Sequence, residues 1–322
     1  MALMHGEVPP WFSLAMGAIN TIGAYKTSEQ SDDKLRPIGV MHEVRRLTEG
    51  ITAAQNRAVV TEHCEPEQLG CSPAGAHKLV HAVRMSYESP QSENWVVVKL
   101  DFRNAHSSVY RSAILNENSA NPSLHNMALH AGVVLAPPTL LVHRGSIWGN
   151  PAGEGVVQGN AKAFNVAIQP HLVNLNQEVS SCGGNAWGGQ DDIFVIGPSS
   201  VVFPAIDRFS EQTLEICGLE LQRSKCMVLC DGDLPADTPN DLTRAGDLIN
   251  GTFEPGMDVY GIPVGSKAWV KNWLNNKVMD LKKLKEKSCS ILEHDIQISD
   301  IQRWLWLTFV GRNFWPSLHW RH

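Results

Sequence analysis

The sequence predicts a fold of the α+β class. Amphipathic helical stretches alternate with short β-branched runs and with turns rich in Gly, Pro and Asp, and no internal repeat interrupts this alternation. The chain has 322 residues, of which 43% are hydrophobic and 19% are charged, so it is long enough and apolar enough to bury a sizeable core.

The N-terminal half contains three well-marked elements. Residues 73–85 predict a helix, because Ser72 is a suitable N-cap and proline is favoured at the first helical position. Residues 95–100, WVVVKL, are apolar and β-branched and predict a strand that ends at Asp101. Residues 104–118 then predict a second helix.

A β-hairpin is predicted in the middle of the chain. Residues 183–189 contain four glycines and lead into Asp191 and Asp192, which are followed by the apolar run 193–196. A turn followed directly by a strand predicts that the two acids lie at the tip of the hairpin.

The remaining elements follow from periodicity and from turn residues. In chain order, the sequence predicts a helix at 161–173 after the Gly-rich turn 153–159, a helix at 203–217, a strand at 225–230, a loop or linker at 231–255 and a helix at 267–292.

Charge is distributed unevenly along the chain, whose net charge is -6. Residues 1–150 carry a net charge of -1, residues 151–261 carry -10, and residues 262–322 carry +5. The total argues mildly against a nucleic-acid partner, but the basic C-terminal part is suited to following a phosphate backbone. The acidic middle part is suited to divalent cations or to a solvated surface.

The sequence also indicates a compartment. No apolar run reaches about 18 residues, so no membrane span is predicted. Residues 1–25 lack a basic region and are interpreted as part of the fold, not as a signal peptide. The seven cysteines form no C-x-x-C pair, which predicts reduced thiols in an intracellular protein, nuclear or cytoplasmic.

Three carboxylates form the most informative constellation. Asp101 follows one predicted strand, and Asp191 and Asp192 precede another. If the two strands are neighbours, the three acids lie within about 6 Å of one another, where two Mg²⁺ ions would relieve their repulsion. The simpler interpretation stays open, because an aspartate at a strand end is often a turn former and an adjacent pair is commonly solvated.

Several segments resemble reverse transcriptases of the non-LTR retrotransposon type. The central one is KLDFRNAHSSVYR, residues 99–111, in which a strand ends in an aspartate. Further similar segments follow the family's order: KLRPIGV at 34–40, QLG at 68–70, PAGA at 73–76, HAVR at 81–84, GVVQG at 155–159, QDD at 190–192, GLEL at 218–221, SK at 224–225 and YGIPVG at 260–265. The ordered resemblance covers residues 34 to 270.

This resemblance implies an architecture and an activity. The architecture is a polymerase palm with an antiparallel sheet backed by helices at 96–260, a short fingers region at 1–95 and a partial helical thumb at 261–322. The activity is that of an RNA-directed DNA polymerase, a nucleotidyltransferase that adds deoxynucleotides to the primer 3′-hydroxyl of an RNA or DNA template-primer. Two Mg²⁺ ions, or Mn²⁺, would be its cofactors.

The resemblance also implies catalytic roles for individual residues. Asp101 and Asp191 would hold both metal ions, assisted by the backbone carbonyl of Phe102, with Asp192 nearby. Lys225 would donate a proton to the departing pyrophosphate or neutralise its charge. The alternative for Lys225 is an exposed lysine on a strand.

Four further residues are implied to bind the nucleotide or the template. Arg36 would approach the triphosphate, and Gln158 and Gly159 would shape the pocket between template and nucleotide. His106 occupies the position of the aromatic ring that excludes ribonucleotides in the family. Arg36 in a surface ion pair and Gln158 in a turn are the structural alternatives.

The chain departs from the family pattern at functional positions. His106 replaces an aromatic ring, Asn160 replaces an aspartate, and Gly189 replaces the aromatic residue that begins the Asp-Asp hairpin. Loss of that ring predicts a looser hairpin tip. These departures favour an alternative, a catalytically inactive relic of a retroelement that binds nucleic acid or protein. An unrelated metal-dependent nuclease is a third interpretation.

Two other residue groups are given structural interpretations. Cys64, Cys71, His77 and His81 have a spacing unlike that of zinc sites, so ordinary core and surface roles are preferred. Tryptophans near the C-terminus are able to stack on bases, although a hydrophobic helix face is the simpler interpretation for the first two: Trp304, Trp306, Trp315 and Trp320.

Overall fold

The computed structural model describes residues 7–25, 35–89, 94–143, 146–147, 152–157 and 160–291, without the side chains of 21–25, 35–37, 161 and 286–291. The chain divides into two compact units, Met1–Ala245 and Gly246–His322. The four C-terminal tryptophans of the sequence analysis lie outside the described residues.

The first unit contains most of the helices and strands that the structure describes. In chain order they are α1 (Pro10–Gly17), β1 (Ile19–Tyr25), β2 (Leu35–Met41), α2 (Glu43–Gln55), α3 (Arg57–Cys64), α4 (Gly75–Glu88), β3 (Trp95–Leu100), α5 (Ala105–Ser108), α6 (Arg111–Ala120), α7 (His125–Leu135), β4 (Leu141–His143), β5 (Ser146–Ile147), α8 (Ala161–Ser180), β6 (Asn185–Gly189), β7 (Asp192–Pro198), α9 (Ser199–Cys217), β8 (Met227–Leu229) and β9 (Thr243–Arg244).

A five-stranded sheet forms the centre of this unit. Its strand order is β6-β7-β3-β8-β9, and every pair is antiparallel except β8 with β9. The strand predicted at 95–100 is confirmed as β3, which lies in the middle of the sheet. Helices α8 and α9 contact the sheet and each other, and their apolar residues share one core cluster with β3 and β7. The α+β class and the antiparallel sheet backed by helices are therefore confirmed.

A second sheet lies in the N-terminal part of the same unit. Its order is β2-β1-β4-β5, with β1 antiparallel to β2 and parallel to β4. Helix α1 contacts α7, where Ser13 Oγ donates to the carbonyl of Val133 at 2.9 Å.

The helix predicted at 104–118 is divided in two. Helix α5 ends at Ser108 and α6 begins at Arg111. The chain leaves the helical path between them because Tyr110 N donates to the carbonyl of Cys217, at 2.8 Å, instead of to a carbonyl of its own helix. A hydrogen bond across 107 residues of sequence has no local signal, so periodicity alone missed the break.

The other differences from the predicted elements concern ends and loops. Helix α4 begins at Gly75, with Ala74 and not Ser72 as N-cap, and α8 and α9 are longer than predicted. Helix α9 ends at Gly218, as predicted, because Gly218 adopts φ 68°. The prediction of a loop at 231–255 was wrong, since this stretch contains β9 and two further strands. Their pairing partners, and not their composition, make them strands.

The second unit is a three-stranded antiparallel sheet followed by a long helix. It contains β10 (Gly246–Ile249), β11 (Thr252–Val259), β12 (Ile262–Gly265) and α10 (Lys267–Ile291). Trp269 fastens the helix to the sheet, because its Nε1 donates to Asp247 Oδ2 at 2.7 Å and its ring lies against Gly256. The two units divide after Ala245, before the boundary near residue 260 that the sequence analysis expected between palm and thumb. The assignments of fingers, palm and thumb stay predictions.

Two further findings concern the described residues. No helix among them is long and apolar enough to cross a membrane. The six cysteines whose side chains are described are free thiols. Cys226 and Cys230 are buried.

Arg111 is a buried connector in the first unit. Arg111 is 8% exposed, and all five N–H groups of its guanidinium have acceptors. The acceptors are Thr139 Oγ1 and four backbone carbonyls, those of Leu135, Pro137, Glu154 and Gly155. One side chain therefore joins α6 to the end of α7 and to the loop before residue 158. Burial lowers the pKa of Arg111 to about 10.

We expect Arg111→Met to lower the free energy of unfolding by about 3 kcal/mol, because it leaves several buried carbonyls without a donor. Chemical denaturation followed by circular dichroism measures the change. The matched control is Arg103→Met, since Arg103 is 58% exposed and forms a surface ion pair with Glu220. The control should cost less than about 0.5 kcal/mol, and equal losses in both variants would contradict the connecting role.

Candidate active site

The three predicted aspartates are brought to one end of the central sheet. Strands β3 and β7 pair so that Leu100 lies opposite Ile193. The next residue outward on each strand is an acid, Asp101 after β3 and Asp192 at the start of β7, while Asp191 lies in the turn before β7. Antiparallel pairing thus places residues that are 91 positions apart at the same sheet end.

Asp101 is held through its backbone. Its N–H points to Cys226 Sγ at 3.4 Å, and its carbonyl accepts from Gln222 N at 2.8 Å. These bonds leave the carboxylate 39% exposed, with the Lys225 ammonium 4.0 Å from Oδ2. Lys225 was predicted on a strand but lies in the 3-10 turn Arg223–Lys225, which precedes β8.

The hairpin that carries the other two acids has a two-residue turn. Gly189 pairs with Asp192, so the turn consists of Gln190 and Asp191. Gln190 adopts φ 69°, which is uncommon for a residue other than glycine and costs free energy. Such a conformation persists only when surrounding contacts hold it.

Gln68 supplies those contacts. Its side-chain Oε1 accepts from Gln190 N at 2.8 Å, and its Nε2 donates to the carbonyl of Gln190 at 3.1 Å. One amide side chain therefore binds both backbone groups of the strained residue. Gln68 is 0% exposed, so these hydrogen bonds are shielded from water.

The neighbouring residue Glu67 extends this anchor. Its carbonyl accepts from Gly188 N at 2.7 Å. Its carboxylate accepts from Asn176 Nδ2 at 3.1 Å and from Gln169 Nε2 at 3.3 Å, both on α8. The segment Glu67-Gln68 thus connects the hairpin to α8. The sequence predicted a loose hairpin tip, because Gly189 replaces an aromatic residue, and these hydrogen bonds hold the tip in another way.

Asp192 is the most buried of the three acids. Its side chain is 30% exposed, and the Lys99 ammonium lies 3.0 Å from Oδ1. Burial raises the pKa of Asp192 above the ordinary aspartate value, the Lys99 charge opposes this rise, and the charges of Asp191 and Asp101 add to it. The three carboxylates therefore lie in one electrostatic environment.

Lys99 is a charged residue of the candidate site that the sequence analysis did not single out. Side chains two apart on a strand share a face, so Lys99 lies on the face of Asp101 and is diagonal to Asp192 across the β3–β7 pair. Its ammonium also lies over the Phe194 ring, 5.7 Å from the centroid. The available signal was a single lysine inside the apolar run WVVVKL.

His106 lies beside the acids. Its ring stacks on Phe164 with the centroids 4.9 Å apart, and its Nδ1 is 4.0 Å from Asp191 Oδ2. Burial lowers the pKa of His106, and the charge of Asp191 opposes this. Its Nε2 is buried and has no hydrogen-bond partner in the described part of the chain.

Phe102 has its side chain in the core and its backbone at the site. It is 6% exposed and forms an antiparallel bridge with Leu221, flanked by the hydrogen bonds Arg103 N to Glu220 O and Gln222 N to Asp101 O. In such a bridge the bonds are made by the flanking residues. The Phe102 carbonyl is therefore directed away from Leu221.

Three residues implied to bind nucleotide or template are not placed. Gln158, Gly159 and the side chain of Arg36 lie outside the described residues. The backbone of Arg36, in β2, pairs with that of Ala24 in β1. The preceding loop contacts the His106 turn, since Val156 N donates to the carbonyl of His106 at 2.7 Å. Gly155, with φ 77°, lies so close to Ser107 that a Cβ atom would be 2.4 Å from its carbonyl oxygen.

Asn160 has a structural role. It is the N-cap of α8, where its side chain accepts from Ala163 N at 3.4 Å.

The donor chemistry of the three acids suits Mg²⁺, which prefers carboxylate oxygens. Within the described ranges, however, no group of three or more His, Cys, Asp or Glu side chains is arranged to hold a metal ion. Lys99 and Lys225 supply the positive charge beside these acids. The two-metal assignment of Asp101, Phe102, Asp191 and Asp192 therefore stays a prediction, and the four residues weighed as a zinc site form no such group either.

Comparison with known proteins gives structural neighbours only. No family model matches the chain, and no curated protein matches it by sequence. Telomerase from Candida albicans, solved with a TWJ fragment of telomeric RNA, matches with a TM-score of 0.51 at 11% identity, over 81% of this chain and 46% of that chain. An apo telomerase from Candida tropicalis, truncated from its C-terminal domain, matches with a TM-score of 0.48 at 8% identity, over 80% and 54%.

These matches concern the fold. Telomerase is a reverse-transcriptase-related polymerase, and the Candida albicans match places this chain in the same general fold. The chain spans about half the length of these neighbours. The non-LTR subtype, the activity and the partners are not carried over by a likeness at this identity.

We expect Lys99→Met to destabilise the protein in a pH-dependent manner, because Asp192 keeps its burial and loses its cation. The substitution raises the pKa of Asp192 further. The loss of stability relative to the wild type is therefore absent below about pH 4, where the carboxyl group is protonated in both the folded and the unfolded state. The deficit grows as pH rises through the pKa of Asp192 in the folded state and reaches about 1–2 kcal/mol at pH 7.

Thermal unfolding between pH 3 and pH 8 measures this difference. The matched control is Lys78→Met, because Lys78 pairs with Glu65 at the surface, where the two side chains are 49% and 36% exposed. A deficit that is the same at every pH would contradict the role assigned to Lys99.

We expect Gln68→Ala to loosen the hairpin tip, since both backbone groups of Gln190 lose their buried partner. Amide hydrogen exchange at Gln190 should accelerate roughly 10-fold or more, with a global loss of about 2 kcal/mol. Gln55→Ala, at the exposed end of α2, is the control. Unchanged protection of Gln190 in Gln68→Ala would refute the contact.

Proposed function

We propose that this chain is the catalytic core of a nucleic-acid polymerase of the reverse-transcriptase kind. It would extend a primer 3′-hydroxyl with deoxynucleotides on an RNA or DNA template, and the resemblance of residues 99–111 supports the non-LTR retrotransposon type. The observation that carries the proposal is the placement of Asp101, Asp191 and Asp192 at one sheet end of this fold.

The arrangement of the acids suits phosphoryl transfer. In this proposal Asp101 and Asp191 bind two Mg²⁺ or Mn²⁺ ions, with Asp192 and the Phe102 carbonyl as further oxygen donors. The ions, when bound, would neutralise charge on the reacting phosphate and activate the attacking hydroxyl. The raised pKa of Asp192 supports this, because a carboxylate that is costly to ionise where it is buried gains most from a bound cation.

Lys225 and His106 take the flanking roles. Lys225 is 55% exposed and lies beside Asp101, so its ammonium is available to the departing pyrophosphate. His106 is fixed by Phe164 beside Asp191, where it would form the wall of the sugar pocket. Arg36, Gln158 and Gly159 complete the proposed nucleotide and template contacts.

Lys99 has a distinct role in this proposal. In the absence of a cation it neutralises Asp192, and a divalent ion would compete with it for that carboxylate. Lys99 would thus hold Asp192 in place beside the other acids before a metal ion binds, and it would lower the affinity of the site for that ion.

A second function is favoured by specific observations. Within the described residues no ready three-ligand group exists, Lys99 already neutralises Asp192, and an imidazole stands where an aromatic ring is expected. These features are those of a retroelement-derived protein that binds nucleic acid or another protein without polymerising.

Primer extension separates the two functions. With Mg²⁺ or Mn²⁺, an annealed template-primer and dNTPs, the polymerase proposal predicts extension that falls by about 100-fold or more in Asp191→Asn, because a ligand of both ions is lost. The control is Asp233→Asn, an exposed acid in the loop that follows β8, which should extend as the wild type does.

Three outcomes of the primer-extension assay decide between the two functions. Extension that survives Asp191→Asn refutes the proposed site. No extension by the wild type, together with retention of the template-primer in a mobility-shift assay, supports the non-catalytic protein. Loss of both extension and binding refutes both functions.

A further inference from the structure

Two cysteines flank the segment that anchors the hairpin. Cys64 is the last residue of α3, and Cys71 ends the 3-10 turn Leu69–Cys71. Cys71 packs against the apolar cluster that contains Cys64, and the two sulfur atoms are close enough for a side-chain hydrogen bond. Between them in sequence lie Glu67 and Gln68, which bind the hairpin.

Polar groups surround the Cys71 sulfur. Asn165 Nδ2 donates to it at 3.1 Å, and the Lys162 ammonium contributes positive charge. Lys162 is itself fixed, because its Nζ donates to the carbonyl of Ala53 at 2.6 Å. Two N–H or S–H donors and a nearby cation favour the thiolate form of a cysteine.

The two cysteines differ in exposure and in acidity. Cys64 is 0% exposed and packs with Val60, Leu124 and Val166, whereas Cys71 lies half-buried at the edge of that cluster. The hydrogen bond from Cys64 lowers the pKa of Cys71 to about 7, while the same bond and burial raise the pKa of Cys64. The pair thus consists of one half-buried thiol and one fully buried partner.

We infer that Cys71 is a peroxide-reactive thiol and that Cys64 resolves its oxidised form into an intrachain disulfide. The substrate class is hydrogen peroxide or a small organic hydroperoxide. This inference is independent of the proposed polymerase function.

The chemistry balances without a further reagent. The Cys71 thiolate attacks one peroxide oxygen, the O–O bond breaks, and the leaving hydroxide or alkoxide takes a proton from solvent, which yields a sulfenic acid at Cys71. The Cys64 sulfur then attacks the Cys71 sulfur, and the sulfenic hydroxyl departs with the Cys64 proton as water. Two thiols lose two electrons in total, and one peroxide gains them.

The disulfide would act on the hairpin anchor. Oxidation joins the two ends of the segment that holds Glu67 and Gln68, and it removes the thiol hydrogen bond between Cys64 and Cys71. Because Gln68 binds both backbone groups of Gln190, a change in this segment is passed directly to the turn beside Asp191. Oxidation is therefore expected to alter amide exchange at Gln190.

Peptide mapping of the full chain tests the inference. The protein is treated with hydrogen peroxide, blocked with iodoacetamide and digested with trypsin, which releases residues 58–78 with Cys64 and Cys71 as their only cysteines. The expected product is this peptide without alkylation and about 2 Da lighter than its dithiol form, and reduction restores two alkylation sites.

Variants assign the two roles. In Cys64→Ser, oxidation should stop at a sulfenic acid on Cys71 that a dimedone probe labels, and in Cys71→Ser the Cys64 thiol should stay reduced. Cys182→Ser is the matched control, because Cys182 is exposed and its described sulfur contact is with Ser181 at 3.7 Å. Circular dichroism confirms that each variant is folded.

The rate of alkylation gives an independent readout. Cys71 should react with iodoacetamide at a rate that rises with pH and levels off above about pH 7 to 8. The inference is overturned if peroxide leaves the 58–78 peptide with two alkylated thiols while it oxidises Cys182. It is also overturned if Cys64→Ser, after peroxide treatment, shows no dimedone adduct on Cys71 and keeps that thiol open to alkylation.

Discussion

The burial of charge at the end of β3 and β7 is the constraint on which the rest of the site depends. The register of the sheet brings Asp101, Asp191 and Asp192 to one place, where burial raises the pKa of Asp192 and the charges of Asp191 and Asp101 add to this rise. Two lysines offset this cost, Lys99 from within the sheet and Lys225 from the turn before β8. This arrangement lowers the stability of the folded protein, and a bound cation would offset that loss.

A second constraint is the strained turn between β6 and β7. Gln190 adopts a left-handed conformation that glycine would adopt without strain, and the buried amide of Gln68 compensates by binding both of its backbone groups. The position of Asp191 therefore depends on a segment 120 residues earlier in the chain. The same segment is bordered by Cys64 and Cys71, so the acid site and this cysteine pair share one structural support.

The fold is shared with telomerase although the identity is only 11%. This follows from what packing requires: β3 and β7 need apolar side chains of suitable size on both faces, and many sequences meet that requirement. The acids are constrained differently, because carboxylates at a sheet end contribute no apolar burial. Their presence at this position is consequently more informative about function than the match of the fold.

Elements with local sequence signals could be predicted from the sequence alone. Strand β3, the hairpin with its acids and the end of α9 at Gly218 follow from β-branched runs, glycine turns and backbone preference. Tertiary structure decided the break between α5 and α6, the strands within 231–255, and the partners of each acid. The roles of Lys99 and Gln68 were not predicted from the sequence for the same reason. Their roles arise from strand register and from contacts between distant segments, and neither a period nor a spacing along one chain encodes which residues meet in space.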